Sequence, residues 1–170
     1  MHIRTASYSD LDSIYAIESA SFPNSEAATY ASLAKRLQVF PDHYWVLEED
    51  MNPDTSDNIA QKILGFIGTV VTSYDRIQDE MFTNANLHNS KGNWLAVLSL
   101  AIAPAHRNKG FASQLLREVI QKTKANGKTG ITLTCKKDLV GFYEGFGFKD
   151  VRISASGHGG AIWHDMVLAF

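Results

Sequence analysis

The chain has 170 residues, 45% hydrophobic and 20% charged, with a formal net charge of -2. That length buries a core without covalent staples, and the charge balance excludes the basic footprint of a nucleic-acid binder. A single cysteine, Cys135, excludes an internal disulfide and fits a reducing compartment.

The opening MHIRTASYSDLD lacks the apolar core of a signal peptide, and no apolar run approaches a bilayer span. The expectation is a cytoplasmic protein with no membrane partner. Residues 1–5 read as a strand. Ser9 and Asp10 then offer capping oxygens to a helix that runs to about Ala20, with Leu11, Ile14, Tyr15, Ile17 and Glu18 at mostly helical spacing. Phe22-Pro23-Asn24 breaks it, and a second helix is expected over 26–37, with Leu33 and Leu37 on one face. Residues 43–49 form a strand on Tyr44, Trp45, Val46 and Leu47. Polar residues 50–58 form a hairpin loop, and 63–72, interrupted by Gly65 and Gly68, its partner strand.

The long stretch 74–93 carries Asp75, Asp79 and Glu80 and reads as a functional or mobile loop. Residues 94–103 are the most hydrophobic strand, followed by a glycine-containing turn and a strong helix over 111–124 that Asn126-Gly127 closes. A short buried strand (131–135) and a short helix (138–144) come next. Two last strands, 148–153 and 161–168, pair antiparallel about the glycine-rich stretch 156–160. With no internal repeat or interior linker, the expectation is one α/β domain over 1–170, a mixed sheet flanked by helices.

The strongest signal runs from Leu100 to Ala112. A buried strand feeds a turn that opens a helix, and free N–H groups at a helix start suit a pyrophosphate. Gly110 admits close backbone approach, Ala112 keeps the first turn small, and Arg107 and Lys109 add positive charge. An ordinary strand–turn–helix connection has the same outline; a second matching segment downstream argues against it.

Arg107-x-x-Gly110-x-Ala112 resembles the acetyl-CoA signature Q/R-x-x-G-x-G/A of the GNAT N-acetyltransferase superfamily. The resemblance implies the GNAT acyl-CoA N-acyltransferase fold, a central twisted mixed sheet between helices. It implies that the amides of Asn108, Lys109, Gly110, Phe111, Ala112 and Ser113 hold the pyrophosphate of acetyl-CoA, and that Leu100, Ala101 and Ile102 pair with the pantetheine arm as with a strand. The later segment, from Cys135 to Phe148, is similar to the superfamily's FYxxxGF motif. There Tyr143 faces the acetyl sulfur and can supply or share a proton; a core aromatic among Phe142, Phe146 and Phe148 is the plainer reading.

The pattern CxxxLVxFYxxFGF over 135–148 further resembles the arylalkylamine N-acetyltransferase branch. That branch's histidine pair falls on Ala96 and Leu98 here, and neither relays a proton. A protonated amine must lose its proton before it attacks a thioester. Glu26, or water, is the expected acceptor, and a glutamate stabilising a helix dipole is the alternative.

Among other polar residues, His43 reads as a strand cap, His158 as solvated, His164 and Asp165 as a satisfied or surface pair, and Cys135 as an inert buried thiol. No zinc spacing is present, so no metal is expected. The expected activity is acetyl transfer from acetyl-CoA to a primary amine of a small molecule, arylalkylamine or polyamine-like, by direct attack in a ternary complex. Asp75, Asp79 and Glu80 favour a cationic acceptor. The alternatives are a protein N-terminal or lysine acetyltransferase and a non-catalytic acyl-CoA-binding module. A monomer or a homodimer fits either.

Overall fold

Ile63–Thr72 is buried at all ten positions, which is what a β-branched, apolar strand requires when both faces are covered. In the computed structural model, which describes residues 1–50 and 62–170, it is the third of seven strands. These are β1 (His2–Thr5), β2 (Tyr44–Glu48), β3 (Ile63–Thr72), β4 (Trp94–Ile102), β5 (Gly130–Cys135), β6 (Lys149–Ile153) and β7 (His164–Ala169), in the spatial order β1-β2-β3-β4-β5-β7-β6. Every pairing is antiparallel except β4 with β5. The result is a mixed sheet flanked by helices, the architecture that the resemblance implies.

Helices α1 (Leu11–Ser21) and α2 (Tyr30–Val39) cover one face, where Ile14, Ile17, Leu33 and Leu37 pack on Phe66 and Val70. Helix α3 (Phe111–Ala125) covers the other, burying Leu115, Leu116 and Val119 against Ile67, Val71 and Ile131. The short α4 (Val140–Glu144) adds Val140 and Tyr143 to that second core. Among the described residues no helix is long and apolar enough to cross a membrane.

Three expectations change. Helix α2 starts at Tyr30, not at residue 26, because the Thr29 side chain accepts from the Ser32 N–H and caps the helix there. Residues 23–27 instead form a tight turn, with Glu26 and Ala27 both donating to the Pro23 carbonyl. The stretch 74–93 is not a free loop. It makes two short 3-10 turns, Asp79–Phe82 and Ala85–Leu87, and buries Met81 and Ala85 in the α1/α2 core. The fully buried Arg36 fastens it by donating to the Phe82 carbonyl and to the Tyr44 hydroxyl. Strand β7 begins at His164 rather than 161, since Trp163 still donates its indole N–H to the His158 carbonyl of the preceding turn. The hairpin loop expected over 50–58 falls, from residue 51, outside the described residues.

The feature that makes a site is a split in the sheet. Strands β4 and β5 pair only from Trp94–Gly130 to Val97–Leu133. Beyond that, β5 continues with β7 alone, while β4 stays with β3. The register of β3 on β4 slips between Gly68 and Thr69, leaving Leu98 as the extra residue of a bulge. A bulge bends its strand and raises the local twist, so the two parallel strands diverge where the bulge sits.

Candidate active site

The divergence exposes one edge of β4. Ala103 donates to the Leu64 carbonyl, and Ala101 stands opposite Phe66. Alternation therefore turns the backbone polar groups of Ala101 toward β3 and those of Leu100 and Ile102 toward the open side. Only two of the three residues expected to meet a pantetheine arm thus present a free edge. Part of that edge is occupied, since the Ile102 carbonyl accepts from Arg107 Nε at 3.1 Å.

At the end of β4 the chain makes a 3-10 turn (Pro104–His106) and enters α3 through two left-handed residues, Asn108 at φ 60° and Gly110 at φ 79°. Among the described residues, no backbone bond outside the helix takes up the amides from Asn108 to Ser113. They stand at the positive end of a 15-residue helix, an arrangement that binds anions. A Cβ on Gly110 would meet no protein atom within 4 Å, so its positive φ is what calls for glycine there. The Arg107 guanidinium turns back onto the body of the protein, donating to Ser21 Oγ at 3.0 Å as well as to Ile102. Lys109 is exposed and stands outside the cleft wall. Arg107 is thus held by the protein body while it still borders the cleft, and Lys109 does not border it.

From this turn a cleft of about 560 Å³ runs along Leu100 and Ile102 to Leu139, Phe142 and Tyr143. Tyr143 closes it. The ring is 7% exposed and packs edge-on against Phe142 and Phe148, at 5.0 and 5.7 Å between centroids. Burial pushes its hydroxyl well above the usual phenol range, which keeps it protonated. The core-aromatic and proton-holding readings of Tyr143 are compatible: the ring is core, and it also borders the cleft and the cavity behind it.

Behind Tyr143 a narrow cavity of about 90 Å³ lies between Phe22, Leu98, Ser99, Phe82, His158 and Trp163. It shares Glu18, Glu26, Phe82 and His158 with a second recess of about 350 Å³ toward the start of α2. The His158 ring stacks on Phe82 at 4.1 Å between centroids, and its Nε2 lies 2.9 Å from the Glu26 carbonyl. It is a wall of the recess, not the solvated side chain expected. Glu26 also lines the recess, with its Oε1 ion-paired to Lys136 Nζ at 2.7 Å. It belongs to a turn before α2, so the helix-dipole alternative does not apply.

Glu18 is the residue that sequence reasoning missed. It is 2% exposed on the inner face of α1, and its Oε1 accepts from the Ala28 N–H at 2.8 Å and from the Ser99 hydroxyl at 3.3 Å. Its Oε2 is buried with no partner among the described residues. Burial pushes its pKa up, against the opposing pull of the Ala28 and Ser99 hydrogen bonds and the charges of Arg36 and His158. A carboxylate in an apolar stripe with Leu11, Ile14 and Ile17 was the available signal.

Other candidates lie elsewhere. His164 and Asp165 are tied to β6, by Asp150 at 2.9 Å and Arg152 at 2.8 Å respectively. His43 packs on Trp45 and His88, in a different cavity. Asp79 holds the Ser156 hydroxyl and the Gly157 N–H, and Asp75 pairs with Arg76. Neither these two acids nor Glu80 borders the recess, so they do not supply the charge expected to meet a cationic acceptor. Burial, helped by Asp150, raises the Cys135 thiol to about 11. Among the described residues, no group of three or more His, Cys, Asp or Glu side chains could hold a metal ion.

A family model described as the acetyltransferase (GNAT) family matches residues 11–148. No curated protein matches the sequence. Among solved structures the chain is similar to the GphF GNAT-like decarboxylase in complex with isobutyryl-CoA, at 24% identity, covering 99% of both chains with a TM-score of 0.77. It is similar to the loading GNATL domain of CurA from Lyngbya majuscula at 15% identity, 99% and 96% coverage and a TM-score of 0.75. A GNAT family acetyltransferase from Brucella melitensis in complex with acetyl-CoA matches at 19% identity, with 99% and 87% coverage and a TM-score of 0.61. At these identities the likeness is one of fold.

Proposed function

The chain belongs to the GNAT acetyltransferase family, and on that premise we propose that residues 1–170 act as one acetyl-CoA-dependent N-acetyltransferase domain whose acceptor is a primary amine on a small, largely apolar molecule. The observation that carries the reading is the acceptor side of the site. A mostly polar recess of about 350 Å³ narrows to a cavity of about 90 Å³ behind Tyr143 that Phe22, Phe82, His158 and Trp163 wall, a shape and size suited to a small amine with an apolar end. Phe22, Phe82, His158 and Trp163 close the narrow cavity around a small group rather than leaving the open groove that a peptide would need.

The cofactor's requirements fit the residues present: unclaimed amides at a helix start, a free strand edge at Leu100 and a cleft ending at a phenol. Acetyl-CoA, when bound, would supply the activated acetyl group as a thioester. The amides of Asn108 to Ser113 bind its pyrophosphate, and the edge from Leu100 to Ile102 orients its arm. Tyr143 holds a proton at its hydroxyl for the departing sulfur. A carboxylate of the recess, or water, takes the proton of the amine, and Glu26 and Glu18 are the carboxylates within it.

Thiol release should be followed with arylalkylamines, polyamines, free lysine and N-terminal peptides. Turnover should be greatest with the small arylalkylamines. Tight acetyl-CoA binding with no turnover on any amine would sink the proposal in favour of a binding module, and preference for peptides would sink its substrate class. Tyr143→Phe should lower kcat about 100-fold while the acetyl-CoA Kd stays within about twofold.

A further inference from the structure

Resting on that reading, we propose that Glu18 is the group that takes the proton from the acceptor amine, through its unpartnered oxygen Oε2 at the junction of the recess and the narrow cavity. The apolar stripe of α1 marks it as buried, and its position relative to β4 gives it a role. Glu18 sits one helical turn before the end of α1 and reaches Ser99, the residue next to the bulge where β4 leaves β5. The carboxylate is held by one oxygen only. Two donors, from Ala28 and Ser99, fix Oε1 and so fix the plane of the group, while Oε2 has no protein partner among the described residues. A buried carboxylate oxygen without a partner is costly. An incoming ammonium would supply the missing donor.

Alternatives within reach are less suited. Positions 96 and 98 on β4 are alanine and leucine and cannot titrate. The Glu26 carboxylate has Lys136 at 2.7 Å, and a neighbouring ammonium lowers a carboxylate's proton affinity. The Tyr143 phenol is protonated and cannot accept. The charged and titratable groups facing Glu18 are Arg36 of α2, His158 of the turn before β7, Glu26 of the turn before α2 and Tyr44 of β2, with Cys135 and Tyr143 across the narrow cavity. Arg36 donates to neutral oxygens of Tyr44 and Phe82 rather than to an acid, so its attraction for Glu18 acts at a distance. Burial is the larger effect and moves Glu18 toward the range where a base works near neutrality.

The step balances as follows. The Glu18 carboxylate accepts one proton from R–NH3⁺, giving the neutral amine and a carboxylic acid. The amine nitrogen bonds to the acetyl carbon as the carbon–sulfur bond breaks. The sulfur leaves with that electron pair and takes the Tyr143 proton. The surplus proton on nitrogen restores the phenol, and Glu18 releases its proton to water.

The test is Glu18→Gln, which keeps the shape and an oxygen for Ala28 and Ser99 but accepts no proton. Two acceptors are compared: an alkylamine, charged at pH 7, and an arylamine, already neutral there. For the alkylamine, kcat/KM should fall about 100- to 1000-fold, and the acidic limb of its pH profile should move up toward the amine's own pKa, near about 10. For the arylamine the loss should stay within about fivefold. Glu18→Asp should keep the acidic limb at a reduced rate. A readout independent of turnover is the Tm of acetyl-CoA-free protein. The folded state holds the Glu18 proton more tightly than the unfolded chain, so this contribution to stability is lost as pH rises above about 4.5. Wild type should lose stability relative to Glu18→Gln from pH 5 to 9.

Equal losses with both acceptors, or an unmoved acidic limb with the alkylamine, would show that Glu18 is merely structural. If wild-type protein binds acetyl-CoA and acetylates no amine, the transfer reading fails and this role with it. If wild type turns over and only the Glu18 pattern fails, the role alone is overturned.

Discussion

The Arg107 guanidinium donates to the Ser21 hydroxyl at 3.0 Å, fastening the first residue of the cofactor turn to the last residue of the helix that carries Glu18. The same side chain holds the Ile102 carbonyl. The proposed cofactor turn, the β4 edge and the proposed acceptor wall therefore meet at one arginine. Arg107→Leu should lower stability by about 1–2 kcal/mol, the range of hydrogen bonds to a charged group at a partly exposed site. It should also raise KM for both acetyl-CoA and amine. Steady-state kinetics at two salt concentrations check this. An effect confined to acetyl-CoA and strongly salt-dependent would mean that the guanidinium meets phosphate directly.

Gly110 tests the turn itself. At φ 79° an alanine is strained although nothing crowds its Cβ, so Gly110→Ala should cost about 1–2 kcal/mol. Asn tolerates the left-handed region better. Gly110→Asn should recover at least half of that loss in a urea melt, and a Gly110→Ala variant as stable as wild type would contradict the strain argument. Acetyl-CoA affinity should follow the same order if the amides act as a fixed set.

Cys135 borders the narrow cavity yet is 2% exposed, with its thiol raised to about 11 by burial. Only about one thiol in a thousand is then ionised at pH 8, and reaction requires the thiolate. Native protein should resist iodoacetamide for hours at that pH and label fully in denaturant. Rapid native labelling would show an open route to the sulfur.

At the opposite edge, Arg4 bridges two acids. It contacts Asp10 at 2.7 and 2.9 Å and Glu48 at 2.7 and 3.1 Å, and Glu48 is 2% exposed. Burial pulls Asp10 up, but the hydrogen bonds from Arg4 and Ser7 outweigh it and hold its pKa below the usual carboxylate value. Its stabilising contribution is present above about pH 4 and is lost as pH falls through the lowered value. Arg4→Met leaves the buried Glu48 to the half-exposed His2 ring at 3.2 Å and should cost about 3 kcal/mol at pH 7. The Tm gap between wild type and Arg4→Met should shrink from pH 6 to pH 3 as Asp10 takes up its proton. A gap that stays constant would assign the loss to packing.

The local pattern made most of the framework legible. The β-branched run of β3 was read with its observed bounds, 63–72, because one strand's burial is written in consecutive residues. The turn from Arg107 to Ala112 was legible for the same reason: strand, left-handed glycine and helix start follow one another within a dozen positions. Helix α2 was misplaced by four residues because capping by Thr29 and a turn at Glu26 compete for the same short, polar stretch.

What the sequence by itself determined was the order of elements, the family and the backbone that suits a pyrophosphate, all of which arise from neighbouring residues. The tertiary structure alone decided which carboxylate is free. Glu18 finds Ser99 across 81 positions, Glu26 finds Lys136 across 110, and Arg107 reaches Ser21 across 86. Desolvation and partner choice depend on what the fold brings together, so proton affinity in this site belongs to the assembled sheet and helices rather than to any segment.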